Sequence, residues 1–367
     1  MIFILLALPV VLEGQSCWSN YRGDARLSGV SGAALPRSPE LLWNFATGDA
    51  VKSAPVVCDE IIVAGSVDGN IYGITMDGKL KWKINTANGV EAPALISDGT
   101  VYLADLDGRV LAIELQTGKT RWTYTTDGMV MGAPNIARVK TGGGTSGTAD
   151  REGSGGSTPS AREKEVLVIG SYDYYLHGID AATGMGLWKY EADNFINGTP
   201  AIFDGLAVFG GCDGLLHQVH ISDGSLKERK SVATYVAGSV AVDEGLTWVG
   251  DYDGKFTCMD LRSGEEVWSY SDPSTNLPFI ASPAVGKNHV YIGSRDKHVY
   301  CFDKMTGKLV WKVNTRGRVD ASPVLAGEKL VVANMRGDVM ILDVADGRVL
   351  WSYELGSAIT GNPAVID

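Results

Sequence analysis

The chain has 367 residues, of which 45% are hydrophobic and 20% are charged, so it can bury a large core and is not globally disordered. Its net charge of −11 and the lack of a basic stripe argue against binding to the phosphates of a nucleic acid. The 46 glycines favour a chain of many tight turns over one of long helices.

The N-terminus predicts an export signal over residues 1–16. An apolar run too short to span a bilayer precedes a small-x-small cleavage pattern at Gly14 and Ser16. A buried strand is the alternative, but the residues that follow are polar and rich in turns. Residues 17–39 are then an N-terminal extension. "GQSC" lacks the leucine that a lipobox places three residues before the cysteine, which leaves lipidation of Cys17 open.

The cysteines other than Cys17 show no CxxC or Cys/His spacing; they are Cys58, Cys212, Cys258 and Cys301. A zinc site is therefore not predicted, and small buried side chains are the expected role. Five cysteines in an exported chain allow one disulfide, but their spacing does not choose the pair.

A tryptophan recurs about every 40 residues, as in "GKLKWKIN" at 78–85 and "GKLVWKVN" at 307–314. The repeated positions are Trp43, Trp82, Trp122, Trp188, Trp268, Trp311 and Trp351, with Glu228 in one slot. About a dozen residues later, each repeat carries a small residue, any residue and then proline or, once, serine. An acidic turn before an alternating strand is the third landmark. Three landmarks at one period indicate a repeat fold.

Each repeat contains four short segments of apolar alternation separated by hairpin turns such as "SDG" and "QTG". Four antiparallel strands in about 40 residues are typical of a β-propeller blade, whereas helical repeats need apolar residues at 3.6 spacing. We therefore predict an all-β propeller over residues 40–367 with seven complete blades. The segments 40–47 and 358–366 read as the outer and inner strands of an eighth blade built from both termini. Its two middle strands are missing, which predicts a truncated C-terminus.

The repeat spacing is interrupted once, because 66 residues separate Trp122 from Trp188. The extra residues fall in 139–165, "VKTGGGTSGTADREGSGGSTPSAREKE", between the first and second strands of the third blade. A segment of Gly, Ser and Thr cannot bury a core, so we expect a disordered loop. A functional lid is the alternative, but the segment has no apolar anchor.

The repeated tryptophans allow two interpretations, a binding platform or a structural wedge between blades. Each lies on the outermost strand of its blade among large apolar residues, where an indole can bury about 150–250 Å² of surface. Seven equivalent positions around a ring favour the structural role, since a ligand platform needs one or two.

The repeats resemble the pyrroloquinoline-quinone-type propeller repeat, whose consensus reads roughly "DGxLYALDxxTGKxxWxxxT". Here it reads "DGRVLAIELQTGKTRWTYT" and "DKHVYCFDKMTGKLVWKVN". The resemblance extends over nearly all of 40–367 and implies one of two branches. Quinoprotein dehydrogenases bind the quinone and calcium in the central channel. Scaffolds similar to the barrel-assembly lipoprotein BamB of the outer membrane use no cofactor.

The dehydrogenase branch implies features that this sequence lacks. It has no adjacent cysteines to lie over a quinone. The residues predicted to face the channel are Lys52, Val90, Met131, Asn197, Val236, Ile280, Asp320 and Thr360. One Asp and one Asn on distant blades do not make a calcium site, which takes six or more oxygen ligands. We therefore expect no cofactor, no metal and no catalytic residues.

Recurring aspartates and scattered histidines are assigned structural roles. Asp68, Asp107, Asp213 and Asp253 each stand at a hairpin turn of one blade, where turn geometry explains them better than acid–base catalysis does. The five histidines show no metal spacing. His177 and His217 occupy the same slot of two blades.

The loops that enter the inner strands predict a partner-contact face made of Phe195, Tyr235 and Phe279 beside Arg316 and Arg318. Aromatic residues and arginine are enriched in binding hot spots. The alternative is that these side chains merely plug the mouth of the channel.

Together these observations predict an exported, monomeric, non-enzymatic scaffold that binds a protein partner at the cell envelope. Its expected location is the periplasm or the periplasmic face of the outer membrane, with outer-membrane protein assembly as one role. No nucleic-acid partner and no membrane span after signal removal are expected. A quinoprotein dehydrogenase-like protein and an extracytoplasmic sensor or glycan-binding module are the alternatives.

Overall fold

The computed structural model describes residues 17–141, 162–232 and 234–367, and the regular structure in these ranges is entirely β-strand. The predicted signal at 1–16 and residues 142–161 of the predicted insertion lie outside the described residues. Alternation of period two, broken by turn residues, explains why each repeat folds as a four-stranded antiparallel sheet.

One two-residue strand and then seven four-stranded blades follow along the chain. Strand β1 (Val30–Ser31) belongs to the N-terminal extension. Blade one contains β2 (Val56–Cys58), β3 (Ile61–Gly65), β4 (Asn70–Thr75) and β5 (Leu80–Asn85). Blade two contains β6 (Leu95–Ser97), β7 (Thr100–Ala104), β8 (Arg109–Glu114) and β9 (Thr120–Thr125). Blade three contains β10 (Asn135–Thr141), β11 (Arg162–Gly170), β12 (Tyr175–Asp180) and β13 (Gly186–Glu191).

The second half of the ring repeats the same order. Blade four contains β14 (Ala201–Phe203), β15 (Leu206–Gly210), β16 (Leu215–His220) and β17 (Leu226–Ser231). Blade five contains β18 (Ala241–Asp243), β19 (Leu246–Gly250), β20 (Lys255–Asp260) and β21 (Glu266–Ser271). Blade six contains β22 (Ala284–Val285), β23 (His289–Gly293), β24 (His298–Asp303) and β25 (Leu309–Asn314). Blade seven contains β26 (Val324–Ala326), β27 (Lys329–Ala333), β28 (Asp338–Asp343) and β29 (Val349–Glu354).

The prediction of an eight-bladed propeller is wrong, because the structure has seven blades. Neither 40–47 nor 358–366, which were expected to form the eighth blade, is a strand. The physical reason is that neither segment has a strand to pair with. A single segment without a neighbouring strand has no partners for its backbone N–H and C=O groups, so no ladder forms.

The two segments nevertheless pack against the ring. Residues 358–366 lie between blades seven and one, where the backbone N–H of Ser322 donates to Oδ1 of Asn362. A Cβ at Gly361 would stand 2.9 Å from the carbonyl oxygen of Ser53. Residues 40–47 run from the outer part of blade seven, where Leu41 lies beside Trp351, to the outer part of blade one, where Trp43 contacts Met76 and Gly78.

Tryptophan links the outer strands at five of the six boundaries between consecutive blades, where its indole Nε1 donates to a backbone carbonyl of the next blade at 2.8–3.0 Å. The pairs are Trp82 with Leu115, Trp122 with Ala181, Trp188 with Ile221, Trp268 with Lys304 and Trp311 with Val344. Trp43 makes the same bond to Met76 of blade one. The ring covers a glycine turn: a Cβ at Gly118 (φ +74°) would stand 2.9 Å from Trp82.

The remaining boundary, between blades four and five, is polar. Glu228 takes the place of the indole beside Gly264, and the Nζ of Lys227 lies 3.5 Å from the carbonyl oxygen of Leu261. In blade seven, Trp351 lies beside Pro39, Glu40 and Leu41, and its Nε1 makes no hydrogen bond to the described residues.

Residues 17–33, called the N-terminal strap below, run around one face of the ring. Their carbonyl oxygens accept hydrogen bonds from all seven blades. The pairs are Trp18 with Val57, Ser19 with Ile96, Ala25 with Asn135 and Ile202, Arg26 with Val242, Ser28 with Val285, and Gly29 with Leu325. Strand β1 of the strap pairs in parallel with β26.

The strap is fastened at its start by a disulfide between Cys17 and Cys58 of β2. Its centre is anchored by Arg22, whose side chain is buried and donates from Nη2 to the carbonyl oxygens of Pro283 and Pro323 at 3.1 and 2.5 Å. The other cysteines are free and buried. The strap therefore closes one face of the propeller.

Candidate interaction face and central channel

The face opposite the strap, called the loop face below, is formed by two kinds of connection. These are the turns between the second and third strands of each blade and the links from one blade to the next. Five of the links carry an apolar residue that packs against the glycine at the end of the second strand of the preceding blade. The pairs include Val90 with Gly65, Ile196 with Gly170, Val236 with Gly210, Phe279 with Gly250, and Val319 with Gly293. This apolar anchor fixes the register of each of these links.

The residue just before each anchor lies at the rim of the channel. Phe195, Tyr235 and Arg318 occupy this position in three links, and their carbonyl oxygens accept N–H groups from neighbouring turns. Tyr252, for example, donates its backbone N–H to Tyr235, and Met335 donates to Arg318. Because the backbone is held in this way, the side chains of the rim are free to face solvent.

The residue just after each anchor lines the channel, as the cavity shows for Lys52, Met131, Asn197, Ile280, Asp320 and Thr360. Val90 and Val236 were predicted to face the channel, but both are fully buried anchors. In the first link the proline stands one residue nearer the anchor, and in the second Val240 occupies the proline position, so Glu91 and Ala237 line the channel instead.

The channel is a polar cavity of about 210 Å³, closed towards the strap by Tyr21, whose hydroxyl pairs with Ser282 at 3.2 Å. Its charged side chains are already paired. Lys52 lies 2.7 Å from Glu91. The carboxylate of Asp320 accepts hydrogen bonds from Nε and Nη2 of Arg295 at 3.2 and 3.1 Å. These bonds raise the pKa of the Arg295 guanidinium.

These channel residues do not fit a quinone and its calcium ion. Calcium needs six or more oxygen ligands. Both carboxylates of the channel are bound to cations, and the amide oxygen of Asn197 accepts the hydroxyl of Tyr172 at 2.8 Å. Within residues 17–141, 162–232 and 234–367, no group of three or more His, Cys, Asp or Glu side chains could hold a metal ion.

Five aromatic side chains of blades three to five lie on the loop face in two contacting groups, one of three rings and one of two. This aromatic cluster consists of Tyr172, Tyr174, Phe195, Tyr235 and Tyr252. The ring of Phe195 stacks on Tyr172 with centroids 4.5 Å apart, and Tyr235 meets Tyr252 edge-on at 4.8 Å. Tyr174, Phe195 and Tyr252 are 43%, 36% and 40% exposed, so apolar ring surface faces solvent.

Three arginines and a lysine form a second group on the loop face, between blades six and seven. This arginine cluster consists of Arg316, Arg318, Arg336 and Lys297, all exposed. A Cβ at Gly317 would stand 2.9 Å from Cγ of Arg336, and Thr315 donates its N–H to the carbonyl oxygen of Lys297. The four cations therefore share one corner of the face.

The structure distributes the predicted partner-contact residues unevenly. Phe195, Arg316 and Arg318 are exposed, and Tyr235 is half-buried. Phe279 is 2% exposed, because it is an apolar anchor and packs against Phe256 and Tyr300. It therefore belongs to the core of blades five and six.

Several residues of the loop face were missed from the sequence, namely Glu91, Tyr172, Tyr174, Tyr252, Arg295 and Arg336. Most of them lie in the turn between the second and third strands, which sequence reasoning treated as a hairpin connection alone. The position of Glu91 in the channel could have been predicted from the apolar anchor Val90, because the residue that follows an anchor lines the channel.

The turn aspartates make contacts within their own blades. The carboxylate of Asp173 forms a hydrogen bond with Nε2 of His177 at 3.0 Å. The hydroxyl of Tyr124 lies 3.1 Å from Nδ1 of the same imidazole. Burial alone would raise the pKa of Asp173, but the interactions with His177 and with the backbone N–H groups of Tyr175 and Asp127 together lower it to about 2. Asp213 and His217 repeat the arrangement at 2.9 Å. These buried pairs are remote from the channel lining and have structural roles.

The family model described as "Outer membrane protein assembly factor BamB" matches residues 33–146 and 213–365. The chain belongs to this family. The match covers both halves of the propeller and leaves out most of blades three and four. No curated protein is similar to the chain by sequence.

Solved structures share the propeller fold at low identity. BamB from Moraxella catarrhalis is 18% identical, with a TM-score of 0.67 over 85% of this chain and 90% of that one. The computationally designed Ika8 protein is 17% identical, with a TM-score of 0.66 over 86% and 92%. A europium-containing methanol dehydrogenase is 13% identical, with a TM-score of 0.69 over 95% and 87%. At these identities the similarity shows the fold alone.

Among the residues that the structure describes, no helix has the length and apolar character needed to cross a membrane.

Proposed function

We propose that this BamB-family chain is an exported, non-enzymatic scaffold at the periplasmic side of the cell envelope, where it serves outer-membrane protein assembly. The observation that carries the proposal is the exposed loop face, on which an aromatic cluster and an arginine cluster lie around one mouth of the channel. Aromatic and arginine side chains dominate the binding energy of protein interfaces. Membership of the family supports the process in which the scaffold acts.

The paired charges of the channel support a role other than catalysis. A reactive site needs groups that are free to bind and transform a substrate. Here Glu91, Asp320 and Asn197 are each occupied by a neighbouring side chain. The strap closes the other end of the channel. The loop face is consequently the surface through which this scaffold meets its partner.

Affinity purification of the tagged full-length protein from gently solubilised envelopes, followed by mass spectrometry, tests the proposal. We expect recovery of an outer-membrane barrel-assembly component. The substitution Arg316→Gln/Arg318→Gln should reduce that recovery, whereas Lys287→Gln/Lys308→Gln should leave it unchanged. Lys287 and Lys308 are exposed and make no ion pair in the described structure, and they lie in turns on the strap side. Absence of any assembly component with the unsubstituted protein would contradict the role.

A further inference from the structure

We propose that the loop face binds an extended, acidic protein segment that carries aromatic side chains, an inference that rests on the proposed scaffold function. Two features of the face determine this chemistry. One is an excess of positive charge at one corner, and the other is a row of exposed rings that leads to it.

The positive corner is unusual for this chain. The net charge is −11, yet Arg316, Arg318, Arg336 and Lys297 stand together. Their one carboxylate partner in the described structure is Asp338, 3.8 Å from Arg336. Exposed Arg316 and Arg318 make no ion pair with any described residue. A cluster of unneutralised guanidinium groups attracts carboxylates and binds them through paired N–H donors.

The aromatic cluster continues towards this corner. Its last ring, Tyr252, lies under the guanidinium of Arg295, with 5.8 Å between Cζ and the ring centroid. Arg295 in turn holds Asp320, two residues after Arg318. The rings and the cations therefore follow one arc around the mouth of the channel. A segment lying along this arc would place apolar or aromatic side chains on the rings and carboxylates on the arginines.

The charge distribution also selects among classes of partner. Outside the arginine cluster, the strong negative charge of this protein would repel a nucleic acid. A polyanionic glycan would bind the arginines, but rings that stack on one another would add little to its affinity. A protein segment with both acidic and aromatic side chains matches the whole arc, because charge complementarity steers encounter and aromatic contacts supply affinity.

A random copolymer of glutamate and tyrosine provides a defined probe. We expect it to bind the full-length protein at least about tenfold more tightly than polyglutamate, as measured by fluorescence anisotropy in 150 mM NaCl. A copolymer of lysine and tyrosine should not bind. Binding should weaken steadily as the salt concentration rises, because exposed charge pairs are screened.

Matched variants locate the interaction. Arg316→Gln/Arg318→Gln should weaken binding of the glutamate–tyrosine copolymer about tenfold, and Phe195→Ala should remove most of its advantage over polyglutamate. Lys287→Gln/Lys308→Gln, which removes the same charge from the strap side, should change the affinity less than about twofold. Circular dichroism and thermal unfolding must show that each variant retains its fold.

Three outcomes would overturn the inference. The arginine variant could bind like the unsubstituted protein, or polyglutamate could equal the copolymer. Heparin could also bind as tightly as the copolymer, which would assign the corner to polyanions in general. If the copolymer fails to bind but an assembly component is recovered from envelopes, the scaffold function stands and the partner chemistry is wrong. If the copolymer binds and no component is recovered, the proposed function is the part that fails.

Discussion

At the scale of single residues, the tryptophan of each repeat fastens one blade to the next by combining ring burial with one hydrogen bond. Trp82 is 8% exposed, and its Nε1 donates to the carbonyl oxygen of Leu115 at 2.8 Å. The carbonyl belongs to a glycine turn on which the ring lies flat, since a side chain at Gly118 would collide with it. Tryptophan and the "TG" turn of the next blade are therefore one structural unit.

The substitution Trp82→Phe should destabilise the protein by about 1–3 kcal/mol, because it removes buried ring volume and leaves a carbonyl oxygen unpaired. Trp351→Phe is the matched control, since Trp351 occupies the same slot but donates to no described carbonyl. It should cost measurably less. Urea unfolding monitored by circular dichroism compares the two; equal losses would show that the hydrogen bond to Leu115 is unimportant.

The buried pair of Asp173 and His177 should make stability depend on pH. Burial alone would raise the pKa of Asp173, but the interactions with His177 and with the backbone N–H groups of Tyr175 and Asp127 together hold it at about 2, below the value of about 3.9 for an unfolded chain. A carboxyl whose folded pKa is depressed stabilises the fold above the unfolded pKa. That contribution is lost as pH falls from about 4 towards about 2.

We therefore expect Asp173→Ala to lower the free energy of unfolding by about 1–3 kcal/mol at pH 7, with the difference from the unsubstituted protein shrinking below about pH 4. Urea titrations at pH 7, 5, 4 and 3 measure it. Asp253→Ala is the control, because Asp253 has the same turn position but its carboxylate has no hydrogen-bond partner among the described residues. A difference that stays constant with pH would contradict the assignment.

At the scale of elements, the N-terminal strap crosses the inner strands of all seven blades on one face of the ring. Its carbonyl oxygens accept backbone N–H groups from the inner strands of six blades and the side-chain amide of Asn135 in blade three, donors that would otherwise be unpaired. Its first residue is fixed by the disulfide to β2. Because the Sγ of Cys17 takes part in that bond, it cannot at the same time carry a thioether-linked lipid.

The disulfide predicts three free thiols in the unfolded protein, from Cys212, Cys258 and Cys301. Alkylation in denaturant without reductant, followed by mass spectrometry, should label three cysteines and, after reduction, five. The substitution Cys17→Ser/Cys58→Ser should lower stability by about 2–4 kcal/mol, because the bond closes a long loop of the unfolded chain. Labelling of all five cysteines before reduction would show that the bridge is absent.

At the scale of the whole molecule, the strap covers one face of the propeller, and the aromatic and arginine clusters are exposed on the other. The strap seals the channel with Tyr21, and paired charges occupy its interior. Ring geometry makes the loop face a single surface. Residues that are about 40 positions apart along the chain, such as Phe195 and Tyr235, thereby become neighbours around one mouth.

The occupied channel predicts that pyrroloquinoline quinone with Ca²⁺ will not bind. Thermal unfolding in the presence of a hundredfold excess of both should leave the midpoint unchanged, whereas a tightly bound ligand would raise it. Ca²⁺ alone is the control. A calcium-dependent rise in the midpoint would restore the dehydrogenase alternative and contradict the ion pairs that we assign to Glu91 and Asp320.

The fold could be predicted where local rules act alone. Period-two alternation, hairpin turns and a tryptophan at fixed spacing identify blades without any knowledge of the ring. The number of blades was mispredicted, because 40–47 and 358–366 have the pattern of strands but no neighbouring strand with which to pair. A strand exists only through its partner, and a pattern in one segment does not show whether the partner is present.

The candidate site could be predicted only in part, because it also depends on contacts between segments that are distant in the sequence. The structure exposes Phe195 and Arg318 at the rim but buries Phe279, because aromatic character alone does not distinguish a rim residue from the anchor next to it. The anchor is recognisable only by the glycine that it covers on another strand. Tyr252 and Arg295 were missed because their role arises from a contact between blades.

The sequence by itself determined the all-β class, the blades and the structural tryptophans, since these follow from interactions repeated every 40 residues or less. The tertiary structure decided which cysteines are bonded, how the strap crosses all seven blades and which side chains meet on the loop face. The contacts of the strap join residues up to 334 positions apart. Ring closure is what makes such distant residues neighbours, and no local pattern of side chains records it.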